Sequence, residues 1–72
     1  MTLKELMSES LGKQITVRSK NGDEVTGFNV LYEDEIDNED DEIQEPSITV
    51  RSKDDGDFAV FYERQIAEIV ML

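Results

Sequence analysis

The chain has 72 residues without cysteine or histidine, and its 18 acidic and 7 basic residues give a formal net charge of −11 at pH 7. One domain of this size forms only a small core, and the missing residue types exclude disulfides, thiolate or imidazole metal sites, and catalysis by histidine or cysteine. The charge opposes nonspecific nucleic-acid binding, which depends on neutralising phosphates, although it leaves room for a local basic face.

Residues 2–11 are predicted to form a short amphipathic helix. Thr2 is a favourable N-cap, and Glu5 lies three residues later, which is the spacing of a capping box. The apolar residues that share one helical face are Leu3, Leu6, Met7 and Leu11. Gly12 is placed to end the helix. A helix this short is barely stable alone, so we expect it to pack on an open end of a β-sheet.

The hexapeptide Ile-Thr-Val-Arg-Ser-Lys occurs twice, at residues 15–20 and 48–53. Apolar and polar residues alternate in both copies, which is the period of a strand with one buried face. The first copy runs into Asn21-Gly22 and the second into Asp-Asp-Gly, where glycine supplies the positive φ of a tight turn. We therefore predict two β-hairpins. Their strands are expected at 14–20, 23–32, 47–53 and 58–62.

The second predicted strand contains a change of phase. Val25 is out of phase with the apolar residues that follow Gly27. Those later residues are Phe28, Val30 and Tyr32. A bulge or sharp bend at Gly27 would reconcile the two halves of the strand, since glycine inside a strand commonly marks such a feature. A strongly bent second strand allows a small sheet to curl into a barrel.

A run of carboxylates separates the second and third strands. Nine of the 18 acidic residues lie between Glu33 and Glu45, without a lysine or arginine among them, and Pro46 follows. Such a run repels itself, so we predict a long solvated loop over residues 33–46. It lacks the glycine and glutamate spacing of a calcium-binding loop, so no specific metal site is expected. Attraction of a basic partner by these carboxylates remains open.

The last two predicted strands, 58–62 and 66–72, are unusually apolar, and Glu68 is the only charged residue of the final strand. Strands that are apolar on both faces are normally covered on both faces. A hydrophobic strand at an open sheet edge aggregates unless another chain pairs with it. We therefore predict a subunit interface. Its expected residues are Phe58, Val60, Tyr62, Ile66, Ile69 and Met71.

Four cations of the repeated hexapeptide are expected on one sheet face, because the first and third strands both flank the second. They are Arg18, Lys20, Arg51 and Lys53. One interpretation is a basic stripe that holds phosphate, with Tyr32 or Tyr62 stacking on a base. The other, which we favour, is a set of solvated strand positions paired with nearby acids, because surface strand positions are usually just polar.

The order of the elements and two short motifs resemble the Sm-like (LSm/Hfq-like) family of small β-barrels. Asn21-Gly22 followed by Val25-Thr26-Gly27 is similar to the first motif of that family, and residues 60–66 are similar to the second. The resemblance implies a mainly β domain, in which a short N-terminal helix precedes a strongly bent five-stranded antiparallel SH3-like barrel. It also implies that the fourth strand pairs with the fifth strand of the next subunit, in a homo-oligomeric ring of about five to seven copies.

Members of that family commonly bind uridine-rich RNA through two loops, and the resemblance implies the same for the matching residues here. These are Tyr32, Glu33 and Asp34 in one loop and Tyr62, Glu63, Arg64 and Gln65 in the other. Consecutive carboxylates stand where the family usually has Asp and Asn, and only Arg64 remains of a basic pair. Carboxylates around a pore repel phosphate, so we expect a binding or scaffolding module with RNA as one candidate ligand.

No group of residues supports catalysis, because the available carboxylates lie in a polar run and no glycine-rich phosphate loop is present. We expect a non-enzymatic module without a cofactor. The alternative is a monomeric or dimeric SH3-like acidic barrel that binds a basic protein partner through the acidic loop. No stretch approaches the roughly 18 apolar residues of a membrane span, and no signal-peptide pattern is present. We therefore expect a cytoplasmic protein without a membrane partner.

Overall fold

The structure is a computed structural model that describes residues 2–34 and 45–72. Its elements in chain order are the helix α1 (Leu3–Glu9), the strands β1 (Gln14–Ser19), β2 (Glu24–Glu33), β3 (Ser47–Ser52) and β4 (Phe58–Tyr62), a 3-10 turn (Glu63–Gln65) and the strand β5 (Ile66–Met71). The strands form one antiparallel sheet in the order β4-β3-β2-β1-β5. The predicted mainly β class, with a short N-terminal helix and five antiparallel strands, is confirmed. The sheet is not closed into a barrel, since β4 and β5 stand at its two ends.

The helix begins as predicted and ends earlier than predicted. Thr2 Oγ1 accepts a hydrogen bond from Glu5 N at 3.2 Å, and Glu5 Oε1 accepts one from Thr2 N at 3.4 Å, which completes the capping box. The helix ends at Glu9 with Ser10 as its C-cap. Leu11 therefore lies outside the helix and is exposed, contrary to the prediction that it shares the buried helical face.

Both predicted hairpins are present, with strand ends that differ from the prediction by at most one residue. The first turn has Gly22 at φ 97°, and the second has Gly56 at φ 75°. Asn21 Oδ1 accepts hydrogen bonds from Ser19 Oγ and from Asp23 N, the latter at 3.0 Å, which fixes the first turn locally.

The sequence predicted a bulge or a sharp bend at Gly27, and the bulge is not there. Gly27 pairs regularly with both of its neighbouring strands, and the register with β3 shifts instead between Asn29 and Leu31. Because of this shift, Val30 has no partner residue on β3, and the side chain of Tyr32 lies on the inner face of the sheet. Gly27 has a different role, because a Cβ there would lie 1.9 Å from the carbonyl oxygen of Arg51. Glycine permits this close approach of two strands.

One hydrophobic core lies inside the curled sheet. Its buried residues are Met7, Ile15, Val17, Ile48, Val50, Ile66 and Ile69. Each copy of the repeated hexapeptide contributes its isoleucine and its valine, as the alternation predicts. Partly buried residues that pack on this cluster are Leu3, Leu6, Val25, Tyr32 and Phe61. All five strands thus reach one cluster, so the sheet curls around it although its ends do not pair.

A buried asparagine attaches the helix to the sheet. Asn29 is fully buried, and its Nδ2 donates to Met7 O and to Ser10 Oγ, both at 3.0 Å. Ser10 Oγ in turn donates to Met7 O at 3.1 Å. Two side-chain donors therefore satisfy the carbonyl of Met7 in the last turn of the helix. Across the described ranges, we find no helix with the length and apolar character that a membrane crossing requires.

Candidate functional site

The open edge of β4 can be assigned from its hydrogen bonds to β3. Ser52 N donates to Asp57 O at 2.8 Å, and Glu63 N donates to Pro46 O at 3.0 Å. Backbone groups alternate in direction along an antiparallel strand, so the odd-numbered residues from 57 to 63 face β3. The even-numbered residues of β4 therefore direct their N–H and C=O groups to the open edge. They are Phe58, Val60 and Tyr62.

One of these edge positions is already occupied within the chain. Gln65 Oε1 accepts a hydrogen bond from Tyr62 N at 3.0 Å. The side chain of Gln65 thus closes the end of the edge next to the 3-10 turn. Phe58 and Val60 remain as the two positions of β4 at which another strand can add.

The open edge of β5 follows from the same alternation. Leu72 N donates to Gln14 O at 3.0 Å, so residues 68, 70 and 72 face β1. Ile69 and Met71 therefore direct their backbone groups away from β1. Ile69 and Met71 thus have the same two-residue spacing as Phe58 and Val60 on β4.

The six predicted interface residues differ in what they present. Phe58 and Val60 are 66% and 53% exposed, Met71 is 36% exposed, and Tyr62 is half-buried. Ile66 and Ile69 have their side chains in the core of their own chain. These two isoleucines can offer a neighbour only backbone groups, while Phe58 and Val60 offer exposed apolar surface as well.

The outer face of β2, β3 and β4 carries an exposed apolar patch that the sequence pattern did not indicate. Cross-strand register sets Arg51 between Phe28 and Phe58, and Thr49 between Leu31 and Val60. The four apolar side chains of these two rows are each at least 45% exposed. The sequence indicated that β4 is apolar on both faces, but only its inner face, with Phe61, packs on the core.

The loop residues suggested by the family motifs meet at one end of the sheet. Glu33, Ser47 and Tyr62 are in register across three strands, and this brings the segment after Tyr32 close to the 3-10 turn. Asp34 is paired with Lys4, with Oδ1 and Nζ 3.7 Å apart.

The single arginine at this end of the sheet is engaged by a carboxylate. Arg64 N donates to Glu45 Oε1 at 3.0 Å, and Arg64 Nε lies 3.9 Å from the same oxygen. Tyr32 packs against the core, and Gln65 is bound to the backbone of Tyr62. Each of these residues therefore already has a contact within its own chain.

The four cations of the predicted basic face have different surroundings. Arg18 forms an ion pair with Glu68, with Nη2 and Oε1 2.9 Å apart, which fits the interpretation of paired surface positions. Arg51 lies on the same outer face without an ion pair in the described part of the chain. Lys20 and Lys53 lie beyond the ends of β1 and β3, in the two turns.

A cleft of about 330 Å³ lies between the first hairpin and β4. One wall comes from the first hairpin, and Val60, Phe61 and Gln65 form the other. Within residues 2–34 and 45–72, no group of three or more aspartates and glutamates is arranged to hold a metal ion. Most of the predicted acidic loop, residues 35–44, lies outside the described residues.

Comparison with known proteins found no matching family model, no similar curated protein and no similar solved structure.

Proposed function

We propose that this chain is a non-enzymatic Sm-like module that assembles into a homo-oligomeric ring through the open edges of β4 and β5. The proposal rests on one observation, the two matched pairs of free backbone positions at the ends of the sheet. An antiparallel join sets Phe58 opposite Met71 of the next copy, and Val60 opposite its Ile69. The two edges are different surfaces, so the join repeats head to tail until a rotation closes it.

The direction of the strands supports an antiparallel join. Five antiparallel strands leave β4 and β5 running in the same direction, so an antiparallel join turns the neighbouring sheet over. The outward side chains of Phe58 and Val60 then continue onto the inner face of the neighbour's β5, beside its core. A parallel join would leave both side chains in water. Burial of apolar surface therefore favours the antiparallel arrangement.

The gain from this burial is large enough to matter for a small domain. Complete burial of an apolar side chain is worth about 1.5–3 kcal/mol, and Phe58 and Val60 are among the most exposed apolar residues of the described chain. The join also pairs strand edges that would otherwise promote uncontrolled association. Ring closure leaves no free edge.

The mass of the protein in solution tests this proposal. Light scattering should show a single species of about five to seven times the 8.2 kDa chain mass. Val60→Lys should give a monomer, because a lysine at the edge cannot be covered by the neighbour's core. Leu31→Lys is the matched control, since Leu31 lies in the same row of the same face but two strands from the edge. A wild-type monomer contradicts the proposal.

RNA is a candidate ligand of the assembled ring, and it is tested separately. Arg64 is engaged by Glu45, so the matching loops offer phosphate little free positive charge. Titration with oligouridine at low salt is the decisive measurement, because electrostatic attraction is strongest there. Absence of binding under that condition would remove RNA and leave a scaffolding role.

The alternative is a monomeric or dimeric SH3-like acidic barrel that binds a basic protein partner through the acidic loop. A monodisperse monomer in the same light-scattering experiment would favour it. The ring and the alternative are therefore separated by one measurement.

A further inference from the structure

A second surface is formed by two grooves that meet at Phe28 and Arg51, on the outer face of β2 and β3. One groove has a volume of about 480 Å³, lies between the segment after α1 and β2, and includes Leu11 and Val30 in its lining. The other has a volume of about 320 Å³ and is lined by Phe28, Arg51, Ser52, Lys53 and Gly56. We call the two grooves together the Phe28 surface.

Among the described residues, the charged side chains of the Phe28 surface are all positive, although the chain carries a net charge of −11. They are Arg51 and Lys53, and no carboxylate of residues 2–34 or 45–72 lines either groove. Within the described part of the chain neither cation forms an ion pair, whereas Arg18 and Arg64 do. The site therefore has positive charge available for a ligand.

Three of the other lining residues are apolar and exposed. Phe28 is 51% exposed, and Leu11 and Val30 are nearly as exposed. Contiguous exposed apolar residues with polar neighbours are typical of interaction sites. A ligand that matches both the positive charge and the exposed apolar lining carries an apolar side chain next to a negative charge.

We propose that the Phe28 surface binds an acidic peptide segment of a partner protein. An apolar side chain of the peptide enters the groove between Leu11 and Val30, and a carboxylate accepts hydrogen bonds from Arg51. The guanidinium group can hold a carboxylate with two parallel hydrogen bonds, which gives orientation as well as affinity. Lys53 forms an ion pair with a second carboxylate of the peptide in the adjoining groove.

A peptide suits this surface better than a nucleic acid does. The turn after Lys53 contains Asp54, Asp55 and Asp57, directly beside the second groove. A nucleic-acid strand has a charge at every nucleotide and would pass these carboxylates, with repulsion at each step. A short peptide can place one or two carboxylates on the cations and turn its other residues away.

The inference does not depend on ring assembly. Phe28 belongs to β2, the middle strand of the sheet, and the proposed subunit join uses only β4 and β5. Phe28 therefore lies two strands from the join, whereas Arg51 lies beside Phe58 of the joining strand β4. The test of peptide binding and the light-scattering test of the ring can therefore fail independently of each other.

The test begins with selection from a phage-displayed library of random peptides of about a dozen residues, using the full chain as target. We expect the selected peptides to combine Asp or Glu with an apolar or aromatic residue. A synthetic copy of one selected peptide is then titrated by fluorescence anisotropy. Its Kd should rise about tenfold in Arg51→Gln, as expected when a charge-assisted hydrogen bond is lost, and similarly in Phe28→Ser.

Arg18→Gln is the matched control, because it removes one exposed cation from the same face but outside both grooves. It should leave the Kd unchanged. Arg51→Lys keeps the charge but loses the forked geometry, so an intermediate Kd is expected, and thermal unfolding confirms that each variant is folded.

Four outcomes overturn the proposal. They are no enrichment of any peptide, enrichment of basic peptides, equal loss of affinity in Arg18→Gln and Arg51→Gln, and binding of single-stranded oligonucleotides that depends on Arg51. The last outcome would assign the Phe28 surface to nucleic acid instead.

Discussion

Gly27 is the residue at which the backbone leaves no room for a side chain. It pairs with Ile15 on one side and with Ser52 on the other, and the carbonyl oxygen of Arg51 occupies the position next to its missing Cβ. From the sequence alone, the change of phase around Gly27 indicated a bulge or a bend at this glycine. The requirement comes from the close contact of two strands that are far apart in the chain.

Gly27→Ala should therefore destabilise the domain strongly. The added Cβ would lie 1.9 Å from a backbone oxygen, so the two strands must separate. We expect a loss of about 3 kcal/mol or more in the free energy of unfolding, measured with urea. Gly12→Ala is the control. Gly12 has φ 79° and open space around it, so only the cost of the left-handed conformation, about 1–2 kcal/mol, is expected.

Ile69 shows that a side chain and its backbone can serve different contacts. Its side chain is in the core, while its N–H and C=O groups face the open edge of β5. Ile69→Asp should lower the free energy of unfolding by about 3–5 kcal/mol, because a charge would enter the core without a partner. Met71→Asp, at a more exposed site on the same edge, should dissociate the assembly with a smaller loss. Equal stability of Ile69→Asp and wild type would contradict this placement of β5.

At the scale of elements, the two edge strands decide how the domain can associate. β4 and β5 each have one side paired within the sheet and one side open in the described chain. Gln65 shortens the open edge of β4 by binding Tyr62 N, and one antiparallel register matches Phe58 and Val60 to the edge positions nearest the end of β5. That register sets Phe58 against Met71 and Val60 against Ile69 of the next copy.

A cysteine pair tests this register directly, because the natural chain has no cysteine. Opposite residues of an antiparallel pair have Cα atoms about 4.5–5.5 Å apart, within the range of a disulfide. Phe58→Cys combined with Met71→Cys should give a ladder of covalent oligomers after mild oxidation, seen on a non-reducing gel. Phe58→Cys combined with Val70→Cys should not, since Val70 faces β1. If only the second pair gives a ladder, the proposed register is wrong.

At the scale of the whole molecule, net charge opposes assembly. Nine acidic residues between Glu33 and Glu45 account for most of it, because the other 9 acidic and 7 basic residues leave only 7 − 9 = −2. The proposed ring brings together several chains that each carry a net charge of −11, and their mutual repulsion falls as salt screens the charges.

Assembly should therefore become stronger as salt increases. We expect partial dissociation at about 0.01 M salt and a stable ring at about 0.5 M, where the screening length falls from about 30 Å to a few ångströms. Light scattering at a fixed protein concentration measures the change. Val60→Lys should remain monomeric throughout. Dissociation at high salt would show that attractive charge pairs, rather than apolar burial, hold the copies together.

The sequence by itself determined the elements and the inner face of the sheet. The capping box at Thr2, the two glycine turns and the alternation in the repeated hexapeptide depend on contacts between residues close in the chain, so local patterns suffice. The sequence also indicated that β4 is apolar on both faces. It did not show which face would be covered.

Tertiary structure decided the rest, because the remaining features depend on residues that are distant in sequence. The shift near Val30, the close contact at Gly27 and the pairing of Arg64 with Glu45 arise only when separate strands meet. The open edges follow from the order of the strands, and the Phe28 surface follows from the register that places Arg51 beside Phe28. Periodicity along one strand assigns side chains to a face, whereas the neighbours across that face are fixed by the fold.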